Sequence, residues 1–89
     1  MKYYAYPALF YKDDSLIRVI FPDLNISTQG ETVTEAFLFA KDLLRQYFCY
    51  VLKYDLDYSL PSKVEDLIPK CKSDEIAMLV DAIVDTKKL

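Results

Sequence analysis

The chain has 89 residues, 53% of them hydrophobic, with eight tyrosines, five phenylalanines, one glycine, no histidine and a formal net charge of -3. That length holds one domain with one core, and the acidic balance excludes a chain that itself clamps a nucleic-acid backbone, which takes clustered Lys and Arg. No run approaches the roughly 20 apolar residues of a membrane span and no secretory leader opens the chain, so a cytoplasmic protein without membrane contact is expected.

Lys2 to Tyr11 is aromatic-rich, with Tyr4, Tyr6, Ala8 and Phe10 on one side of an extended chain and Tyr3, Ala5, Pro7, Leu9 and Tyr11 on the other. Both sides read as buried or half-buried. Pro7 cannot donate to a ladder, so the strand is expected to lie at an edge there or to turn that nitrogen away from its neighbour. Lys12 to Ser15 ("KDDS") reads as a turn, and Leu16 to Phe21 as a returning strand that closes a hairpin with a loop of moderate length.

"PDLN" breaks that strand, and Ile26 to Gly30 is a short third one. Thr32 and Glu35 fit the S/T-x-x-E capping box, in which the Thr hydroxyl accepts from the Glu backbone N–H and the Glu carboxylate reaches back to the N–H of the cap. Gly30 is expected at the corner before it, where a positive φ favours glycine.

The spacing predicts a helix from about Val33 to Lys53, its stripe made of Val33, Ala36, Phe37, Ala40, Leu43, Leu44, Tyr47 and Val51. Glu35, Asp42, Gln46 and Lys53 mark the wet side. Leu38 and Cys49 fall close to that side with Phe39 and Leu52 on its flanks, which one buried stripe does not explain. A second capping box, Ser62 to Glu65, opens a helical turn "VEDLI" that Pro69 should stop.

Glu75 to Thr86 reads as a last strand, with Ile76, Met78, Val80, Ala82 and Val84 on one face and Asp81 between Leu79 and Ile83 on the other. The order is β-β-β-α-β. The expected class is α+β: a three-stranded antiparallel sheet plus a C-terminal strand, packed on one long helix, as a single domain over residues 1–89.

Little in the sequence points to catalysis. One glycine leaves no room for a P-loop or a G-x-S-x-G elbow, and the commonest acid–base side chain is missing. Cys49 and Cys71 lack C-x-x-C spacing, so zinc has too few soft ligands, while two reduced thiols or a disulfide both stay open. Asp13, Asp14, Asp23 and Asp81 are the candidates for a Mg2+ cage, each with an ordinary turn, cap or strand role beside it. Binding without a cofactor or metal is expected.

Five stretches, "YPALF", "FPDL", "TQGETVTEA", "AKDLL" and "LPSKVEDL", resemble in order and spacing the HicB-like antitoxin family of bacteria and phages. The resemblance implies a partial RNase H-like fold without nuclease activity. It also implies a partner, a small basic HicA-like toxin that cleaves mRNA and whose catalytic histidine and RNA surface the antitoxin covers. Two departures stand out. The loop "NIST" lacks the Pro-Gly common in the family, and the C-terminal DNA-binding domain of many members is expected to be absent from these 89 residues, so no direct nucleic-acid binding is assigned to them.

Charge alone nominates Asp13, Asp14 and Asp23 to meet basic toxin residues. Leu38, Phe39 and Leu52, with the sheet edges, are nominated to join copies into a homo-dimer or higher oligomer. The alternative to a toxin-binding module is therefore a dimerisation module of the same fold without a toxin partner.

Overall fold

A computed structural model describes residues 1–89. The elements are β1 (Lys2–Asp13), β2 (Leu16–Phe21), β3 (Ile26–Gly30), α1 (Val33–Lys53), α2 (Val64–Leu67) and β4 (Glu75–Val84), with single 3-10 turns at Ile68–Lys70 and Thr86–Lys88. All four strands pair antiparallel in one sheet of order β3-β2-β1-β4. The molecule is an α+β slab of 40 × 27 × 17 Å.

β1 is a central strand, and its proline sits where only one neighbour is paired. The register with β4 runs from Lys2↔Val84 to Tyr11↔Glu75, whereas that with β2 begins only at Leu9↔Ile20. Pro7 therefore removes no donor that a ladder needs. The hairpin loop is tighter than the sequence suggested: Asp13 pairs Leu16 across Asp14 and Ser15, with Asp14 at φ 56°.

The core lies between one face of the sheet and one face of α1. Tyr6, Ala8 and Phe10 of β1, Val19 and Phe21 of β2 and Val80, Ala82 and Val84 of β4 meet Ala36, Ala40, Leu44, Phe48 and Val51 of the helix. Full burial of a side chain the size of Phe48 is worth about 1.5–3 kcal/mol. Phe48, four residues beyond Leu44, belongs to the buried stripe, and Val33 in the first turn does not, being 54% exposed. Cys49 and Leu52, expected near the wet side, pack half-buried against the core because the sheet and the segment after α1 wrap both flanks of the helix end.

α1 starts as its capping residues dictate. The Glu35 N–H donates to Thr32 Oγ1 at 3.1 Å, and the Glu35 carboxylate accepts at 3.1 Å from the N–H of Glu31, one residue ahead of the cap. It ends on a left-handed Asp55 (φ 52°) with the Leu56 N–H donating to the Val51 carbonyl, a Schellman closure that usually takes glycine.

Gly30 is needed for a different reason from the one its position suggested. Its φ is not positive. A Cβ there would stand 2.5 Å from the Ala36 nitrogen and 2.9 Å from its Cα, so only glycine lets the end of β3 pass under the first turn of α1. The left-handed positions go instead to Asp14, Asn25 and Asp55, polar residues that tolerate them.

The second capping box does not form. α2 is capped by Lys63 without a side-chain bond, and Glu65 lies in its first turn. The Ser62 hydroxyl is spent on Asp23 across the molecule. α2 does end ahead of Pro69, at Leu67, and a separate 3-10 turn with the proline near its start carries the chain on through Lys70.

Candidate interaction surface

The segment between α1 and α2 has no regular structure, yet it is held at three points. The Tyr6 hydroxyl donates to the Ser59 carbonyl at 2.6 Å. The Tyr58 ring stands edge-on to Phe48 at 5.0 Å between centroids, within a cluster in which Tyr4 stacks flat on Phe48 at 3.8 Å. Asp23, in the turn after β2, accepts from the Ser62 N–H at 2.8 Å and the Ser62 hydroxyl at 2.7 Å.

Burial first, then the neighbouring Tyr58 and Asp23, push the Tyr6 phenol up to about 12, so it stays a neutral donor. Tyr4 is also raised, by burial and then Tyr58, and its buried hydroxyl meets no partner.

Around and ahead of those anchors the segment turns apolar and acidic groups outward. Leu60 is 79% exposed, Leu56 and Tyr58 are partly so, and Asp55 and Asp57 are exposed and join no ion pair. A pre-ordered apolar rim carrying two carboxylates suits a basic protein surface, because the ordering cost has been met in folding and the charge favours encounter.

The sequence-nominated residues do not gather in one place. Asp13 and Asp14 are at the β1–β2 tip, Asp13 paired with Arg18, while Asp23 is at the far end of β2 and occupied with Ser62. A strand of that length separates the two ends by about 20 Å. Asp81 bonds Lys41 of α1 at 2.7 Å, which holds its carboxyl below the usual range. No three His, Cys, Asp or Glu side chains converge as a metal site would need, and both cysteines are free thiols. Leu38 and Phe39 are exposed on α1, whereas Leu52 is half-buried.

A second exposed feature was not nominated residue by residue. β4 is an edge strand, and on its outer side Leu79 and Ile83 are more than half exposed, with Tyr3 of β1 opposite Ile83. A groove of about 520 Å³ runs beside its C-terminal half, lined by Arg45, Cys49, Tyr50, Tyr54, Ile83 and Lys88. The signal for β4 lay in its alternation, which buries Val80, Ala82 and Val84, leaves Ile76 at the strand's start exposed, and sets Leu79 and Ile83 on a face that no second long helix covers. Leu56 and Leu60 carried only the weak cue of leucines placed among aspartates without a helical or strand period.

No family model matches this sequence, and no curated protein does. Among solved structures, the chain is similar over 98% of its length, and 72% of the other chain, to a chain of a toxin–antitoxin complex from Streptococcus pneumoniae, at 27% identity and a TM-score of 0.77. It shares its fold over 92% of its length, and 99% of the other chain, with a chain of the HicA3 and HicB3 toxin–antitoxin complex, at 17% identity and a TM-score of 0.67. Both neighbours in fold come from toxin–antitoxin complexes.

Proposed function

We propose that the protein is a HicB-like antitoxin module with a partial RNase H-like fold, acting in the cytoplasm, that binds a HicA-type mRNA-cleaving toxin and neutralises it by covering its active surface. The observation that carries this reading is the likeness, over nearly the whole chain, to a member of a toxin–antitoxin complex. The acidic charge and the exposed aromatic and aliphatic side chains support it, since complementary charge speeds association and buried apolar anchors supply affinity. The role is binding rather than catalysis, by residues 1–89 as one toxin-binding domain.

The toxin-facing groups are Leu56, Asp57 and Leu60 on the braced segment, with Asp14 and Asp13 at the hairpin tip as a second acidic point and Asp23 acting through Ser62 to hold the segment in place. Co-expression tests the reading: with this protein at equal levels the neighbouring toxin leaves RNA intact and cells grow, and continued RNA cleavage and arrest would overturn it.

Self-association is the second reading, favoured by the long unpaired edge of β4 and by the exposed Leu38 and Phe39. It is compatible with the first.

A further inference from the structure

The two free edges of the sheet are unlike. β3 exposes five residues, Ile26–Gly30, with polar Ser27, Thr28 and Gln29 at its centre. β4 exposes ten, Glu75–Val84, mostly aliphatic. A long apolar edge is a template for another strand unless something blocks it.

The register states which β4 groups are available. Pro7 pairs with Leu79, and a residue without an N–H cannot form the hydrogen-bonded type of antiparallel pair. Leu79 therefore directs its own N–H and C=O away from β1, toward the open edge. By the alternation of antiparallel pairs, Ala77, Asp81 and Ile83 do the same.

We propose that β4 pairs antiparallel with β4 of a second copy about a two-fold axis at Leu79, joining two four-stranded sheets into one of eight. This rests on the self-association reading and adds its geometry. A two-fold contact closes the β4 edge of both copies at once. The charges select the register, because like charges directly opposite oppose pairing. An axis at Met78 sets Glu75 against Asp81, one at Val80 sets Glu75 against Asp85, and one at Asp81 sets that carboxylate against its copy.

An axis at Leu79 avoids all three. It places Leu79 on Leu79, Val80 on Met78, Asp81 on Ala77, Ala82 on Ile76 and Ile83 on Glu75 while overlapping nearly the full strand. Charged side chains flank this edge: Arg45 and Lys88 line the groove beside its C-terminal half, and Lys41 reaches from α1 to pair with Asp81. The pair is exposed, so opening it costs little, and the freed ammonium then lies near Glu75 of the second copy.

The experiment combines sedimentation with cross-linking in a Cys49→Ala, Cys71→Ala background whose fold is checked by circular dichroism. The expected results are a mass rising with concentration from 10.4 kDa toward twice that, loss of the dimer in Leu79→Lys, whose outward side chain leaves the fold intact, and rapid disulfide formation by Leu79→Cys under mild oxidation. Neither Ala77→Cys nor Asp81→Cys alone cross-links, but the two together do. A protein that stays monomeric at every concentration overturns self-association and this register together. A dimer that survives Leu79→Lys and does not cross-link at position 79 overturns the register and leaves self-association standing.

Discussion

Asp23 and Ser62, 39 residues apart in sequence, are joined by two hydrogen bonds to one carboxylate, from the Ser62 N–H at 2.8 Å and its hydroxyl at 2.7 Å. That contact ties the turn after β2 to the segment after α1 and fixes how the outward leucines are presented.

Removing the carboxylate should cost more than removing the hydroxyl. Asp23→Ala loses both bonds and is expected to destabilise by about 1–2 kcal/mol, whereas Ser62→Ala keeps the backbone bond and loses roughly half that. The double variant should be no less stable than Asp23→Ala, because the serine hydroxyl then has nothing left to lose. Urea unfolding of the four proteins reads the cycle.

The two inner tyrosines of β1 should respond unequally. Tyr6→Phe strands the Ser59 carbonyl and is expected to cost about 1 kcal/mol, whereas Tyr4→Phe removes a hydroxyl without a partner and should change stability by less than ~0.5 kcal/mol in either direction.

Tyr6 also predicts an alkaline transition. Its pKa is raised from 10.0 to about 12 in the fold, so the neutral phenol's contribution is complete below pH 10 and is lost as pH rises through 12. Tyr6→Phe should flatten the fall in unfolding midpoint over that window relative to the parent.

Glycine placement gives a pair of opposite effects. Gly30→Ala forces a methyl group against the Ala36 backbone and should destabilise by about 1–3 kcal/mol. Asp55→Gly relieves a left-handed residue at the end of α1 and should stabilise by roughly 0.5–1 kcal/mol. Thermal melts of the two variants test both signs.

The hub of the aromatic cluster should outweigh any exposed helix position. Phe48→Ala is expected to cost about 3–5 kcal/mol, since Tyr4, Tyr6, Tyr47 and Tyr58 all pack on that ring, while Leu38→Ala should stay within ~0.5 kcal/mol.

The elements were legible where local chemistry sets them. The boundaries of β2, β3 and α1 follow from the Asp-rich turn, the Pro–Asp break and the Thr32 cap, all decided within a few residues. What was not legible depends on contacts distant in sequence. Ser62 and Glu65 match a capping box letter for letter, yet Asp23 claims the serine hydroxyl. Gly30 looked like a positive-φ corner, but the approach of Ala36 is what requires it. Phe48 was in phase with Leu44 and was masked by its neighbour Tyr47, because a window of aromatic residues satisfies the helical period on two adjoining faces.

The proposed interaction surface was less legible still. Charge picked Asp13, Asp14 and Asp23, and the fold sets the first two at the opposite end of β2 from the third. Leu56 and Leu60 become a surface only because Tyr6, Tyr58 and Asp23 fasten the irregular segment that carries them.

The central claim is that this chain binds and silences a toxin. The most direct measurement is calorimetric titration of the protein into the catalytically inactive form of the basic protein encoded beside its gene, with an RNA-cleavage assay of the active form alongside. The expected result is a saturable complex, suppression of cleavage at stoichiometric antitoxin, and weaker binding by Asp57→Lys or Leu60→Asp. Absence of heat at micromolar concentrations, with RNA cleaved at the same rate in the presence of this protein, would contradict it.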